Sequence, residues 1–201
     1  VEARIEAGPD PAALAAMQGV EALGGRDPER VLALSKPFLE RLDSLTRLRL
    51  AYHRSHALRQ LHRHEESSRG FLEIAGVTTR LGWLRGAALM FHEAALCARL
   101  RSDWEAALQA WETCLKYRER ISDAAGVANA LGNKGSMLWE LGRLPEAQAC
   151  LEQVLTAMEE LGDEHGQALT HMNLGNIHVS RGENAEALAA HQRAVSMFEA
   201  L

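Results

Sequence analysis

The stretch GSMLWELGRLPEAQACLEQVL, residues 135–155, returns as GNIHVSRGENAEALAAHQRAV at residues 175–195, and the comparison of the two decides the fold. Gly135 falls on Gly175, Gly142 on Gly182 and Ala147 on Ala187, each 40 positions apart. The period extends backwards. Leu81, Ile121, Leu161 and Leu201 keep it, as do Gly86, Gly126 and Gly166, then Ala88, Ala128 and Ala168, and Ser67, Ala107, Ala147 and Ala187. Small residues recur at two sites of each unit: Ser55, Ala95, Gly135 and Gly175 in one helix, and the series from Ser67 to Ala187 in the next. Two helix backbones approach closely only where side chains are short, so each unit reads as a pair of packed antiparallel helices.

This pattern resembles the tetratricopeptide repeat, a helical hairpin with Gly or Ala at its eighth position, Gly near the turn and Ala early in the second helix. Gly135, Gly142 and Ala147, then Gly175, Gly182 and Ala187, carry the resemblance. The usual unit is about 34 residues long. The longer step here, with LGDEHGQA between hairpins, looks like the variety found in bacterial signalling proteins and cytoskeletal adaptors. Lys134 stands where leucine is usual, and Arg101 and Ser102 where a turn glycine is usual.

The expected fold is therefore all-α, a right-handed α-solenoid of about five antiparallel helix-turn-helix repeats. They form one domain over residues 1–201, with repeats at 10–43, 44–82, 83–122, 123–162 and 163–201. No single hairpin buries both faces, so neighbours must stack, with the first helix of each lining the concave side. Residues 1–8 alternate apolar and charged and read as the end of an earlier helix. Asp10 before Pro11 and Asp27 before Pro28 are helix-start signals, Gly24 and Gly25 a stop, and Pro37 should shorten or kink its helix. The later pairs are read as 44–61 with 65–81, 84–100 with 103–121, 124–141 with 145–161, and 164–181 with 184–201. Ser102 or Asp103 should cap the second helix of the third pair. Leu188, Val195, Phe198 and Leu201 leave the last helix apolar where a further repeat would sit. Leu201 is also the equivalent of Leu161, so the chain reads as a piece of a longer protein.

Composition agrees with helices: 47% of residues are hydrophobic and 5% aromatic, a core of Ala and Leu. The net charge of -5, without long like-charge runs, does not indicate a nucleic-acid surface. Cys97, Cys114 and Cys150 lack metal or redox spacing and read as reduced core thiols of a cytoplasmic protein. No membrane span or signal peptide is visible. Three lysines against nineteen arginines hint at a GC-rich bacterial genome.

In the resembling family the inner groove is lined by positions 2, 5, 6, 9, 12 and 13 of each repeat. Counting from Gly135 as the eighth, the fourth repeat supplies Asn129, Asn133 and Trp139, and the fifth Asn173 and Asn176, with Leu169, Met172 and Val179 beside them. The second supplies Arg49, Tyr52, His53, His56 and Arg59, and the third His92 and Arg99. This polar, partly basic lining contrasts with Ala13, Ala16, Met17 and Val20 of the first repeat. An Asn side chain has one acceptor and one donor, which suits both backbone groups of an extended peptide. Arginine pairs bidentately with carboxylates, and an exposed Trp can stack on an apolar anchor.

Catalytic and metal chemistry lack a constellation. His53 with His56 and His62 with His64 have no third ligand at helical spacing, so solvated or groove-lining roles fit them better. His171 and His178 replace apolar repeat residues and read as hydrogen-bonded core positions. Glu65 with Glu66 and Glu159 with Glu160 are adjacent on a helix and point apart, and Trp104 and Trp111 are at core spacing. No cofactor is implied. The reading is a non-catalytic peptide- or protein-binding scaffold, the sensory or regulatory module of a larger bacterial signalling protein, without nucleic-acid or membrane partners. The alternative is a structural module that dimerises an output domain through the last helix.

Overall fold

A computed structural model of the chain describes residues 10–201, so the alternation at residues 1–8 lies outside the described residues. All regular elements among the described residues are helical: α1 (Pro11–Leu23), α2 (Pro28–Ser35), a short 3-10 helix (Lys36–Phe38), α3 (Leu45–Gln60), α4 (His64–Arg80), α5 (Leu84–Leu100), α6 (Trp104–Arg120), α7 (Ala124–Glu140), α8 (Leu144–Leu161), α9 (Glu164–Arg181) and α10 (Asn184–Ala200). The protein is an all-α solenoid of helical hairpins. Its described residues divide within α6 into two compact units, the first ending at Tyr117 and the second running from Arg118 to Leu201.

The start signals act as carboxylate caps. Asp10 accepts from the amides of Ala12 and Ala13, and Asp27 from that of Arg30, so each satisfies a backbone donor that the first turn leaves open. Asp103 takes the same role for α6 through Ala106, while Asp123 and Asp163 cap α7 and α9 through Gly126 and Gly166. Pro37 lacks an amide hydrogen and ends α2 in the 3-10 turn.

The turns between later helices share one device. The residues at 62, 82, 102, 122, 142, 162 and 182 all have positive φ, 20 positions apart. Glycine occupies four of these places, where the left-handed conformation is free of Cβ strain. His62, Ser102 and Ser122 hold it at φ 58°, 58° and 53°, which disfavours L-residues by roughly 1–2 kcal/mol. Ser122 is exposed. Ser122→Gly is therefore expected to stabilise the protein by about 0.5–1 kcal/mol after its larger unfolded-state entropy is counted, read as a higher urea midpoint.

In the first unit Leu48, Phe71, Ile74, Met90, Ala94 and Cys97 form one core. A second joins Ala13, Met17, Val20 and Val31 to Leu50 and Ala57. The small apolar face of the first repeat is thus covered by α3 and does not line a groove. In the second unit α8 buries Ala147, Cys150, Leu151, Val154 and Met158, packing on α7 and α9. The short residues mark close crossings. A Cβ on Gly135 would stand 3.3 Å from Cys150 Cβ and 3.4 Å from the Ala147 carbonyl, and Ser55, Ala95, Ser67, Ala107 and Ala147 are buried at the same registers. The three cysteines are buried and form no disulfide.

Candidate functional site

The sequence-selected residues fall into two groups, one in each unit. In the second unit, the first helices of the two hairpins, α7 and α9, face a shared open cleft of 460 Å³. Asn129 and Asn133 come from α7 and Asn173 from α9, with Val154 and Met158 of α8 among its apolar lining. A smaller hollow of 90 Å³ beside it is lined by Trp139, Asn173 and Asn176. Asn173 belongs to both.

Helical geometry explains the convergence: positions 129 and 133 are one turn apart on one face of α7, and 173 is the repeat image of 133. The polar groups are not all free. Asn133 Nδ2 donates to the Asn129 carbonyl at 2.9 Å, so its Oδ1 is the group left to accept from a ligand. Trp139 Nε1 donates to Ser180 Oγ at 2.8 Å, and Ser180 donates to the Asn176 carbonyl at 3.0 Å. That chain fixes the indole of a residue that is still 43% exposed. Leu169, Met172 and Val179 are exposed on α9.

In the first unit, the residues counted into the groove form a network more than an open lining. Arg59 donates to Glu93 at 2.5 Å and to His56 Nδ1 at 3.0 Å. The His56 ring lies edge-on to Tyr52 and Phe71, with centroids 4.4 and 5.1 Å away. Accepting at Nδ1 places the proton on Nε2, which is buried and meets no hydrogen-bond partner among the described residues. Burial, then the charge of Arg59, push His56 down to about 4. The same desolvation lowers His53 and, with the Glu93 carboxylate, raises the Tyr52 phenol. His92 is buried, and Arg99 is half-buried in the last turn of α5. Arg49 is exposed and paired with Glu21.

Two features escaped sequence reasoning. A cavity of 250 Å³ in the first unit is lined by Leu45, Leu48, Ile74, Trp83, Leu89 and Met90, with Arg49 and His53 also on its wall. Leu89 was recoverable, since the count that selects Asn129 as position two of its repeat selects Leu89 in the third. The role of Trp83 had no such signal.

The remaining polar residues are structural. Glu65 pairs with Arg69 and Glu66 with Arg63 on exposed surface. His178 is half-buried and bonds Glu183 at 2.7 Å, and burial lowers His171. Trp111 is fully buried, while Trp104 is partly exposed. Among the described residues, no group of three His, Cys, Asp or Glu side chains is placed to hold a metal ion, and no helix is long and apolar enough to cross a membrane.

The tetratricopeptide repeat family model matches residues 86–160 and again 126–200. The chain belongs to the tetratricopeptide repeat family, whose repeats make it a protein-interaction scaffold. No curated protein sequence matches it. Solved structures share the fold at low identity. BtubC from P. vanneervenii is 18% identical with a TM-score of 0.71, covering 99% of this chain and 91% of that one. A STAND signal-transduction ATPase with a tetratricopeptide repeat sensor, from Pyrococcus horikoshii, is 14% identical with a TM-score of 0.77, covering 92% of this chain and 29% of that one. Aspartyl phosphate phosphatase F from Bacillus subtilis is 11% identical with a TM-score of 0.66, covering 98% and 61%.

Proposed function

We propose that the protein is a non-catalytic peptide-binding module, with the cleft of the second unit as its binding surface. The observation that carries this reading is that Asn129, Asn133 and Asn173 line one open cleft over the apolar side chains of Val154 and Met158. Among the described residues no hydrogen bond engages the side chain of Asn173, which lies exposed on α9, so it offers both a donor and an acceptor to an extended backbone. Asn133 adds an acceptor, and the exposed indole of Trp139 a stacking surface for an apolar anchor. Alternate polar and apolar groups of this kind are what an extended peptide requires.

A sensory or regulatory role in a larger cytoplasmic signalling protein of bacterial origin is the setting that fits such a module. Fold likeness to a STAND protein whose sensor is a tetratricopeptide repeat supports that setting by analogy. Native mass spectrometry of gently purified protein tests the cleft. A co-purified peptide should be present on the wild type and lost from the Asn133→Ala, Asn173→Ala pair; a peptide retained equally by both would place binding elsewhere.

A second reading, self-association through α10, is favoured by its apolar exposure: Leu188 is 59%, Val195 54% and Phe198 38% accessible. At the registers of Val195 and Phe198, 40 residues earlier, Leu155 is half-buried and Met158 buried. Phe198→Glu is expected to convert a concentration-dependent dimer into a monomer in light scattering. A wild type that stays monomeric at high concentration contradicts that reading.

A further inference from the structure

The first unit contains an apolar cavity whose construction departs from the capping that the first helices of the other hairpins, α1, α3, α7 and α9, share. At the residue before α7 and before α9 stands an aspartate, Asp123 and Asp163, that caps the helix. The equivalent residue before α5 is Trp83, and it makes no capping hydrogen bond. Its indole instead folds flat over Gly86, so closely that a Cβ there would lie 2.6 Å from the ring. The first turn of α5 has exchanged a stabilising cap for an apolar wall, a local inconsistency of the kind that marks a functional site.

That wall closes one side of the 250 Å³ cavity. Leu48, Ile74 and Met90 are buried along it, whereas Leu45, Trp83 and Leu89 are each 37–39% exposed at its mouth. Three large apolar side chains around one opening form an interaction patch rather than scattered surface residues. The pocket is half open to solvent, and its 250 Å³ leaves room for a branched, aryl or short aliphatic group laid against the buried side chains. Among the described lining residues Arg49 alone carries a permanent charge. Its guanidinium already holds a carboxylate, that of Glu21, in a pair with both side chains about half exposed. Such a pair contributes little to stability, so an incoming carboxylate replaces Glu21 at small cost. Burial and the neighbouring Arg49 lower the His53 imidazole from its ordinary value, which favours its uncharged form.

We infer that this cavity is a binding site for a small amphipathic monocarboxylate, with its aliphatic or aryl body between Leu48, Ile74 and Met90 and its carboxylate on Arg49 in place of Glu21. The inference rests on the first unit alone and holds whether or not the asparagine cleft takes a peptide.

The test titrates the 201-residue chain with hexanoate, octanoate and octanamide below their aggregation concentrations, following tryptophan fluorescence with calorimetry in parallel. Octanoate should bind saturably and about fifteenfold more tightly than hexanoate, the expected gain for two buried methylenes. The fluorescence change should disappear in Trp83→Phe, and calorimetry should show octanoate still binding but more weakly, because the smaller ring covers less of the ligand. Arg49→Gln should weaken octanoate about tenfold and leave octanamide unchanged. Glu21→Gln, which removes the resident carboxylate, should strengthen octanoate two- to fivefold, a gain that no loss of folding can mimic. Absence of saturable octanoate binding overturns the proposal. So does equal binding of acid and amide with both charge variants silent. If octanoate fails and a tetrapeptide ending in a leucine carboxylate saturates instead, the occupant is a chain end and the free-acid assignment is wrong.

Discussion

Phe71→Ala is expected to lower the stability of the first unit by about 3–5 kcal/mol, the usual range for removing a fully buried aromatic ring. Phe71 is 0% exposed, on α4, within a core that includes Leu48 and Ala51 of α3 and Met90, Ala94 and Cys97 of α5. Its ring also lies edge-on to Tyr52 and His56, centroids 6.1 and 5.1 Å away, contacts that add to the area it buries. The surroundings cannot collapse easily into the space. Helices that meet through the short, buried Ala51, Ala75 and Ala94 have little room to move closer, so a cavity remains and adds to the lost transfer energy. Urea unfolding followed by far-ultraviolet circular dichroism measures the change. A loss under about 1.5 kcal/mol would show that the site repacks and that this core is not held by Phe71.

Acid should destabilise the same unit through His56. Its folded pKa, about 4, lies below the ordinary value of 6.5, so the unfolded chain takes up a proton first as pH falls. Stability is full above about pH 6.5 and is lost progressively down to about pH 4. The ring is half-buried, so solvent screening reduces the full linkage value to an expected loss of roughly 1–2 kcal/mol over that window. His53 is shifted in the same direction by the same desolvation and adds to the trend. His56→Gln should flatten the pH dependence between 6.5 and 4, and Phe71→Ala should flatten it too, because water then reaches the imidazole. A pH dependence unchanged in His56→Gln would assign the acid sensitivity to other groups.

Most of the fold was legible because it is periodic. The helix pairs beyond the first repeat follow from small residues at a 40-residue spacing and from aspartate or glycine at the boundaries, as at Asp123, Gly142 and Asp163. Less legible was which polar groups remain available. The back-bond from Asn133 to the Asn129 carbonyl depends on a rotamer rather than on a residue type. The burial of His92 depends on how closely α5 is packed, which a count of groove positions does not contain. Ser102 was marked by standing where a turn glycine is usual, but the left-handed conformations of His62 and Ser122 were hidden because glycine marks that register only in other turns. Trp83 was the least visible: its meaning lies in being an indole where α7 and α9 have a capping carboxylate, and that is seen only once the cap bonds are known.

The most direct test of the account is selection of random twelve-residue peptides displayed on phage against the 201-residue chain, followed by titration of the enriched peptides in solution. The account predicts that enriched peptides bind the wild type and lose at least tenfold in affinity to the Asn133→Ala, Asn173→Ala protein, with a folded circular dichroism spectrum retained. Enrichment of no peptide over background, or equal affinity for both proteins, would contradict the assignment of the asparagine cleft as a peptide-binding surface.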